Sequence, residues 1–354
     1  MLKPKAYFLE FNLGGFLNMK RILFTFALIL FVAGNSFSQI ENFLFVGMDR
    51  EQLKNSDYWK PELFDGVQIG YSWNQLEHSK DKYDLSLIRE DLKFLKKAGK
   101  KLFIQIQDVS FSPQRNFAPK YLREDPIYNG GANKTYTFKD YDETEYTHEG
   151  WATRRWDAEV QKRLHKLYAA LGKEFDGIIE GINTSETSVG FGSVGKLHPP
   201  GYSCLRYKEA TTENLATLKK AFPRSTVIVY ANFMPGCRVP GLATTLLKDV
   251  YEFAWANKIG VGGPDLFPFK KEQMTKSYPL IKSSYRKVPT GLAVQDGNYN
   301  YINPNTNKRI TAEEIFQFSE NELHLTYIFW GTEDPFFKTE TLPFLKAKKA
   351  KISN

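Results

Sequence analysis

The residues of this sequence best suited to chemistry lie within residues 175–187, which read FDGIIEGINTSET. An apolar, β-branched run bounded by turn residues is typical of a buried strand in a parallel sheet. Glu186 follows that run at the carboxyl end of the strand, where parallel α/β folds carry their functional groups. A carboxylate buried there is costly unless it is hydrogen-bonded or used in acid–base chemistry. Glu186 is therefore the leading candidate for a catalytic residue.

The segments that must position Glu186 alternate between strand-like and helix-like patterns. Strands are predicted at residues 43–48, 64–73, 101–108, the run before Glu186, 226–232, 259–265, 290–296 and 325–330. Helices are predicted at residues 85–98, 157–170, 205–221, 242–256, 311–321 and 342–350. This alternation predicts a parallel sheet with right-handed crossovers, and eight units predict a closed (β/α)8 TIM barrel. An open doubly wound sheet is the alternative, disfavoured because no strand is followed by a glycine-rich phosphate loop.

In such a barrel the carboxyl ends of the strands converge on one face and bring polar and aromatic side chains together. The side chains at these ends are Asp49, Trp73, Gln107, Asp108, Asn183, Glu186, Asn232, Asp265, Gln295, Asp296, Trp330 and Glu333. Amides and carboxylates hydrogen-bond hydroxyl groups, and indole rings stack on the apolar faces of sugars. The set indicates a carbohydrate site, although each member alone also fits a structural role. Residues 109–153 are rich in Pro, Gly, Asn and Tyr and are predicted to be irregular. A loop this long inside a compact domain usually has a function.

Three passages resemble the large clan of glycoside hydrolase TIM barrels that includes β-galactosidases, cellulases and mannanases. They are residues 66–108 (second and third strand units), INTSET at 182–187 (fourth strand end) and YIFWGTE at 327–333 (eighth strand end). The resemblance implies that Glu186 is the general acid/base, that Asn183 contacts a sugar hydroxyl, and that Trp330 is a sugar platform. The chain departs from the clan because Thr184 and Ser185 separate Asn183 from Glu186, where the clan has the two residues adjacent.

A second departure concerns the nucleophile, which in the clan is a Glu at the end of the seventh strand. This chain has Gln295-Asp296-Gly297 there. Retaining hydrolysis needs two carboxylates about 5–5.5 Å apart, and inverting hydrolysis needs them about 6.5–9.5 Å apart. Because the Asp side chain is one methylene shorter than Glu, Asp296 is expected to lie too far back for direct attack without backbone adjustment, and three interpretations are open. Asp296 is a nucleophile after backbone adjustment, Asp296 or Glu333 is the base of an inverting enzyme, or the barrel binds glycans without cleaving them. Asp296 is also the expected neighbour that raises the pKa of Glu186.

The leading prediction is a secreted or periplasmic glycoside hydrolase acting on a poly- or oligosaccharide, with Glu186 and Asp296 as catalytic residues. The predicted substrate-binding residues are Trp73, Gln107, Asn183, Asn232, Asp265, Gln295, Trp330 and Glu333. The rival is a non-catalytic glycan-binding barrel, and a lyase on uronic-acid polymers is a third reading. The five histidines lack metal-ligand spacing and no G-x-S-x-G elbow is present, so neither a metal, a cofactor nor a serine triad is expected.

Composition narrows the possible partners. The formal net charge is +8, but acidic residues are spread among the basic ones, so a nucleic-acid partner is not expected. Aromatic residues make up 15% of the chain, an excess that suits a site for sugar rings. We expect a monomer whose partner is its carbohydrate substrate.

The N-terminus has the three parts of an export signal at residues 19–38: a basic start, an apolar stretch and small residues before Gln39. Residues 1–18 are interpreted as an upstream extension, and residues 39–354 as one catalytic domain. The apolar stretch is too short for a comfortable membrane span, so the mature chain is expected to lack an integral membrane segment. Cys204 and Cys237 follow the fourth and fifth strands, so a disulfide and two separate thiols are both open.

Overall fold

The computed structural model describes residues 39–353, in which eight parallel strands close into a barrel. They are β1 Glu41–Phe45, β2 Gly66–Ser72, β3 Lys101–Gln107, β4 Gly181–Asn183, β5 Thr226–Tyr230, β6 Gly260–Gly263, β7 Thr290–Val294 and β8 Tyr327–Gly331. Each strand pairs with the next along the chain, and β8 pairs with β1. The predicted (β/α)8 TIM barrel is confirmed.

Helices cover the outside of the barrel. Those of seven or more residues are α1 Ser86–Lys97, α2 Ala158–Phe175, α3 Cys204–Ala221, α4 Leu242–Ala256, α5 Ser277–Ser284, α6 Ala312–Phe318 and α7 Leu342–Ser353. Side chains cap three of them: Asp157 accepts from the first-turn amides of α2, Ser203 accepts from the Arg206 amide of α3, and Thr311 forms a capping box with Glu314 at α6. Helix α5 was not predicted.

The strand before Glu186 is shorter than its apolar sequence suggests. Helix α2 continues through Gly172 to Phe175, so only three residues remain for β4. Gly172 does not end the helix, because it serves a close contact with α3: a Cβ atom there would overlap the carbonyl oxygen of Ala221. A glycine that lets two helices approach has the same appearance in the sequence as one that ends a helix.

Aromatic rings fill the interior of the barrel. The inward-facing cluster consists of Phe43, Phe103, Ile228, Tyr230, Ala293, Tyr327 and Phe329. Small residues in the strands make room for these rings, since a Cβ atom at Gly181 would lie 2.5 Å from the Phe103 ring. A polar layer lies among them, where Gln68 Nε2 donates to Asn183 Oδ1 and to the Tyr230 hydroxyl, both at 3.0 Å.

Residues 109–153 are not the irregular segment that their turn residues predict. They contain an antiparallel sheet of three strands, Val109–Ser110, Ala132–Phe138 and Tyr146–Thr153, which we call the insertion sheet. In the second and third strands Thr alternates with aromatic residues, as in TYTF at residues 135–138 and YTH at residues 146–148, a pattern typical of half-buried strands. Frequent Pro, Gly and Asn in the flanking turns masked that signal.

The predicted upstream extension at residues 1–18 and export signal at residues 19–38 lie outside the described residues. Between residues 39 and 353, no helix is long and apolar enough to cross a membrane.

A disulfide joins Cys204, the first residue of α3, to Cys237 in the loop after β5, with their Cα atoms 6.1 Å apart. It closes a loop of 33 residues that contains α3 and β5. Replacing both cysteines with alanine is expected to lower the free energy of unfolding by about 3–4 kcal/mol, because the unfolded chain gains loop freedom. Denaturant unfolding of the variant, with reduced wild-type protein as the control for packing, measures this. Identical midpoints for oxidised and reduced wild-type protein would contradict it.

Candidate active site

A pocket of about 310 Å³ opens at the carboxyl ends of the strands. Three of the predicted site residues line it: Gln107 at the end of β3, Glu186 after β4 and Gln295 after β7. The edge of the insertion sheet forms one wall through Ser110 and Phe111. Its volume lies in the range of small-molecule sites. Within residues 39–353, Glu186 is the only acidic residue lining this pocket.

The backbone around Glu186 is held by buried side chains. Arg155 Nη1 donates to the Glu186 carbonyl oxygen at 2.9 Å. The same guanidinium binds both carboxylate oxygens of Asp108 at 2.6 Å, in a buried bidentate ion pair. The Tyr207 hydroxyl donates to the Thr187 carbonyl at 3.1 Å. These contacts join the ends of β3 and β4 to the residues before α2, and so fix where the Glu186 side chain begins.

Asn232, after β5, fixes the other end of the side chain. Its Nδ2 donates to Glu186 Oε2, and its Oδ1 accepts from the Phe233 amide at 3.0 Å, which sets the orientation of the amide group. The amide beside the acid therefore comes from the end of β5. Asn183, which the resemblance places next to a sugar hydroxyl, is fully buried within the barrel and bonded to Gln68.

Burial raises the pKa of the Glu186 carboxyl to about 7. The Asn232 hydrogen bond and the charge of Arg155 favour the ionised form and oppose this rise, whereas the charges of Asp265 and Glu149 add to it. A carboxyl group with this pKa is largely protonated below neutral pH. It can therefore donate a proton and accept it back within one catalytic cycle.

Asp265 is the carboxylate whose charge acts most strongly on Glu186. It follows β6, and burial raises its own pKa. Asn298 Nδ2 donates to Asp265 Oδ1 at 3.1 Å, while Asn298 Oδ1 accepts from the Gln295 amide at 2.9 Å. Gln295 Nε2 in turn donates to the Pro264 carbonyl at 2.8 Å, so the ends of β6 and β7 are linked.

Asp296 is not the neighbour of Glu186 that was expected. A capping box formed by Gln295 and Asn298 starts a short helix directly after β7 and turns Asp296 out to solvent. Its Oδ1 accepts from the Gly297 amide at 2.6 Å. Its charge acts instead on Glu333, whose pKa is raised by burial and then by Asp296. Neither carboxylate lines the pocket, and neither does Asp265, which lines a separate, smaller cavity together with Asn232.

The structure does not bring the two tryptophans into the pocket. Trp330 and Trp73 are both fully buried, the first with Nε1 donating to Asn42 Oδ1 and the second to Glu77 Oε2, each at 2.9 Å. Phe329 belongs to the barrel interior, so alternation along β8 turns Trp330 outward, against α7. Both indoles belong to the layer between strands and helices.

Arg155, Glu149 and the partner role of Asp108 were missed from the sequence. Arg155 lies two residues before the Asp157 cap, and nothing in the local pattern distinguishes it from a solvated cation. In residues 39–353, no group of three or more His, Cys, Asp or Glu side chains is arranged to hold a metal ion.

Solved structures share this fold. A thermostable mutant of a xylanase from Cellvibrio japonicus aligns with a TM-score of 0.51 and 12% identity, over 86% of this chain and 90% of that one. A β-galactosidase from Bacillus circulans sp. alkalophilus aligns with a TM-score of 0.54 and 11% identity, over 84% of this chain and half of its own. No family model and no curated protein matches the sequence. At these identities the likeness is one of fold: the chain has the TIM barrel found in glycoside hydrolases.

Proposed function

We propose that this protein is a glycoside hydrolase that cleaves O-glycosidic bonds of a poly- or oligosaccharide, with Glu186 as general acid. The observation that supports this most is a carboxyl group with a pKa near 7 on the wall of a pocket at the carboxyl face of the barrel. Asn232 engages Oε2, which leaves Oε1 for the transferred proton. Glu186 gives its proton to the leaving oxygen as the bond to the anomeric carbon breaks.

The second carboxylate that we propose is Asp265. Its charge acts on Glu186, whereas Asp296, which the resemblance implies, is bonded to the Gly297 amide. In the proposed step, water attacks the anomeric carbon and Asp265 accepts the proton that water loses. Asp is one methylene shorter than Glu, so it suits a base acting through water better than a direct nucleophile.

Comparing Asp265→Asn with Asp296→Asn tests this assignment. Asp265→Asn removes a negative neighbour of Glu186, so the pKa of Glu186 is expected to fall and the basic limb of kcat/KM to move to lower pH. Loss of the base is expected to lower turnover by about 10²–10⁴-fold. Asp296→Asn, the control, is expected to leave the limb in place. The reverse pattern would assign the role to Asp296.

The second candidate is a glycan-binding barrel without catalysis. It is favoured by one observation: no acidic residue other than Glu186, among those described, lines the pocket. A panel of soluble polysaccharides with detection of new reducing ends separates the two. A hydrolase releases reducing ends, whereas a binding protein is retarded in gels containing the polysaccharide and releases none.

We also propose that the protein is exported from the cytoplasm, on the basis of the three-part signal at residues 19–38. N-terminal sequencing of protein recovered outside the cytoplasm is expected to begin near Gln39. Exported protein that retains Met19 would contradict this proposal.

A further inference from the structure

One face of the insertion sheet carries a row of aromatic rings, which we call the aromatic face: Tyr136, Phe138, Tyr146, His148 and Trp151. Tyr136 pairs with His148 and Phe138 with Tyr146 across the two long strands, so these side chains point to the same side. Ring centroids lie 5.1 Å apart for Tyr136 and Tyr146, and 5.2 Å apart for His148 and Trp151. All five rings are partly or well exposed.

The aromatic face is continuous with the pocket. Trp151 pairs with Ser110 across the sheet, and its indole Nε1 donates to the Pro113 carbonyl at 2.8 Å. Ser110 and the exposed Phe111 line the pocket that contains Glu186. Glu149, the bulge residue beside His148, is near enough for its charge to act on Glu186. The row of rings therefore begins at the pocket rim and runs outward along the hairpin.

The hairpin that carries these rings is fixed to the loops after β4 and β5. Buried Glu143 accepts from the Ser193 hydroxyl at 2.7 Å and from the Val194 amide at 3.0 Å. Arg238 donates to the Tyr141 carbonyl and lies 4.3 Å from the centre of the Tyr141 ring. Cys237, the neighbour of Arg238, is held by its disulfide. A surface fixed before the ligand arrives loses less conformational freedom on binding.

We propose that the aromatic face binds successive sugar units of a polysaccharide whose scissile bond lies at the pocket. This rests on the proposed function and specifies its substrate as a chain of several units. Rings with an apolar face and a polar edge suit sugars, which present C–H groups on one side and hydroxyls around the rim. A row of partly exposed Tyr, His and Trp side chains offers several such contacts to a long chain of sugars. A short saccharide held in the pocket does not reach the rings at the outer end of the row.

The test uses Tyr146→Ala and Phe138→Ala, which remove the two paired rings of the aromatic face nearest the turn of the hairpin. Soluble xylan, mannan, galactan and carboxymethyl cellulose are the probes, in retardation gels and in hydrolysis assays, beside nitrophenyl glycosides of the same sugars. Each variant is expected to weaken polysaccharide retardation and raise KM for the polysaccharide about 3–10-fold, with kcat/KM for the nitrophenyl glycoside unchanged. The control is Tyr285→Ala, which removes a ring paired with His324 (centroids 4.6 Å apart) before β7 and β8, at the opposite end of the barrel.

The outcomes separate this inference from the proposed function. In one outcome the wild type is retarded by a polysaccharide, Tyr146→Ala weakens that retardation, and no reducing ends are released. This outcome supports binding by the aromatic face and contradicts hydrolysis. Hydrolysis with retardation that neither variant changes contradicts the aromatic face alone. A wild type that none of the four polysaccharides retards, or a control that loses as much as the two variants, also overturns the inference.

Discussion

Replacing Glu186 with glutamine is expected to lower turnover by about 10²–10⁴-fold and to leave glycan binding nearly intact, because the amide keeps the shape of the side chain but has no proton to transfer. Substrates with very good leaving groups need little protonation and are expected to lose less. Glu180→Gln is the matched control, since Glu180 lies just before the other end of β4 and bonds Tyr327 and Lys101. Its turnover is expected to stay near that of the wild type. A stable Glu186→Gln protein with full activity would contradict the assignment.

The same variant has an expected effect on stability with a definite sign. The pKa of Glu186 is about 7 in the folded protein, against an ordinary value of 4.5. As the pH rises above 4.5, Glu186 ionises in the unfolded chain but stays protonated in the folded protein, so the free energy of unfolding falls. The loss grows until the pH passes 7, where it is on the order of 3 kcal/mol. Glutamine removes this term. We expect Glu186→Gln to be more stable than wild type at pH 8 and nearly equal to it at pH 4.

Replacing Arg155 with methionine is expected to lower the free energy of unfolding by about 3–5 kcal/mol, because it leaves Asp108 as an unpaired buried charge. Burial alone would raise the pKa of Asp108, yet Arg155 holds it below its usual range. The change also removes the hydrogen bond to the Glu186 carbonyl and a cation that favours ionised Glu186. The basic limb of kcat/KM is therefore expected to move to higher pH.

A purely structural role for Arg155 would not move that limb. Arg163→Met is the control, since Arg163 and Glu77 form another buried ion pair, between α2 and the segment after β2. It is expected to lose comparable stability with no change in the pH profile. If both variants shift the limb equally, or neither does, Arg155 does not act on Glu186.

The barrel could be predicted from the sequence because its signal is local and repeated eight times. Which side of a strand faces the interior was harder to predict, since parallel strands are apolar on both faces. Trp330 illustrates this. Neighbouring residues of β8 face opposite sides of the sheet, so Phe329 lies inside the barrel and Trp330 packs against α7, and the sequence YIFW is compatible with either orientation. The length of β4 was also hidden, because the role of Gly172 depends on a contact with α3.

The candidate site was predictable only in part, for a related reason. Glu186 and Gln107 could be placed on the carboxyl face because they follow strong strand signals. The environment of Glu186 depends also on Arg155 and Asn232, which lie 31 residues before it and 46 residues after it. Asn232 could be placed at the same face because it follows β5, but its bond to Glu186 could not be predicted. Arg155 does not follow a barrel strand and leaves no local pattern. Asp296 was misplaced as the neighbour of Glu186 because a capping box turned it outward.

Infrared difference spectroscopy of wild type against Glu186→Gln shows whether Glu186 is a protonated carboxylic acid near neutral pH. The carbonyl stretch of a protonated carboxyl, present in wild type and absent from the variant, is expected to disappear as the pH rises, with a midpoint near 7. This measurement requires no knowledge of the substrate. A midpoint near 4.5, the ordinary value for a glutamic acid, would contradict the account.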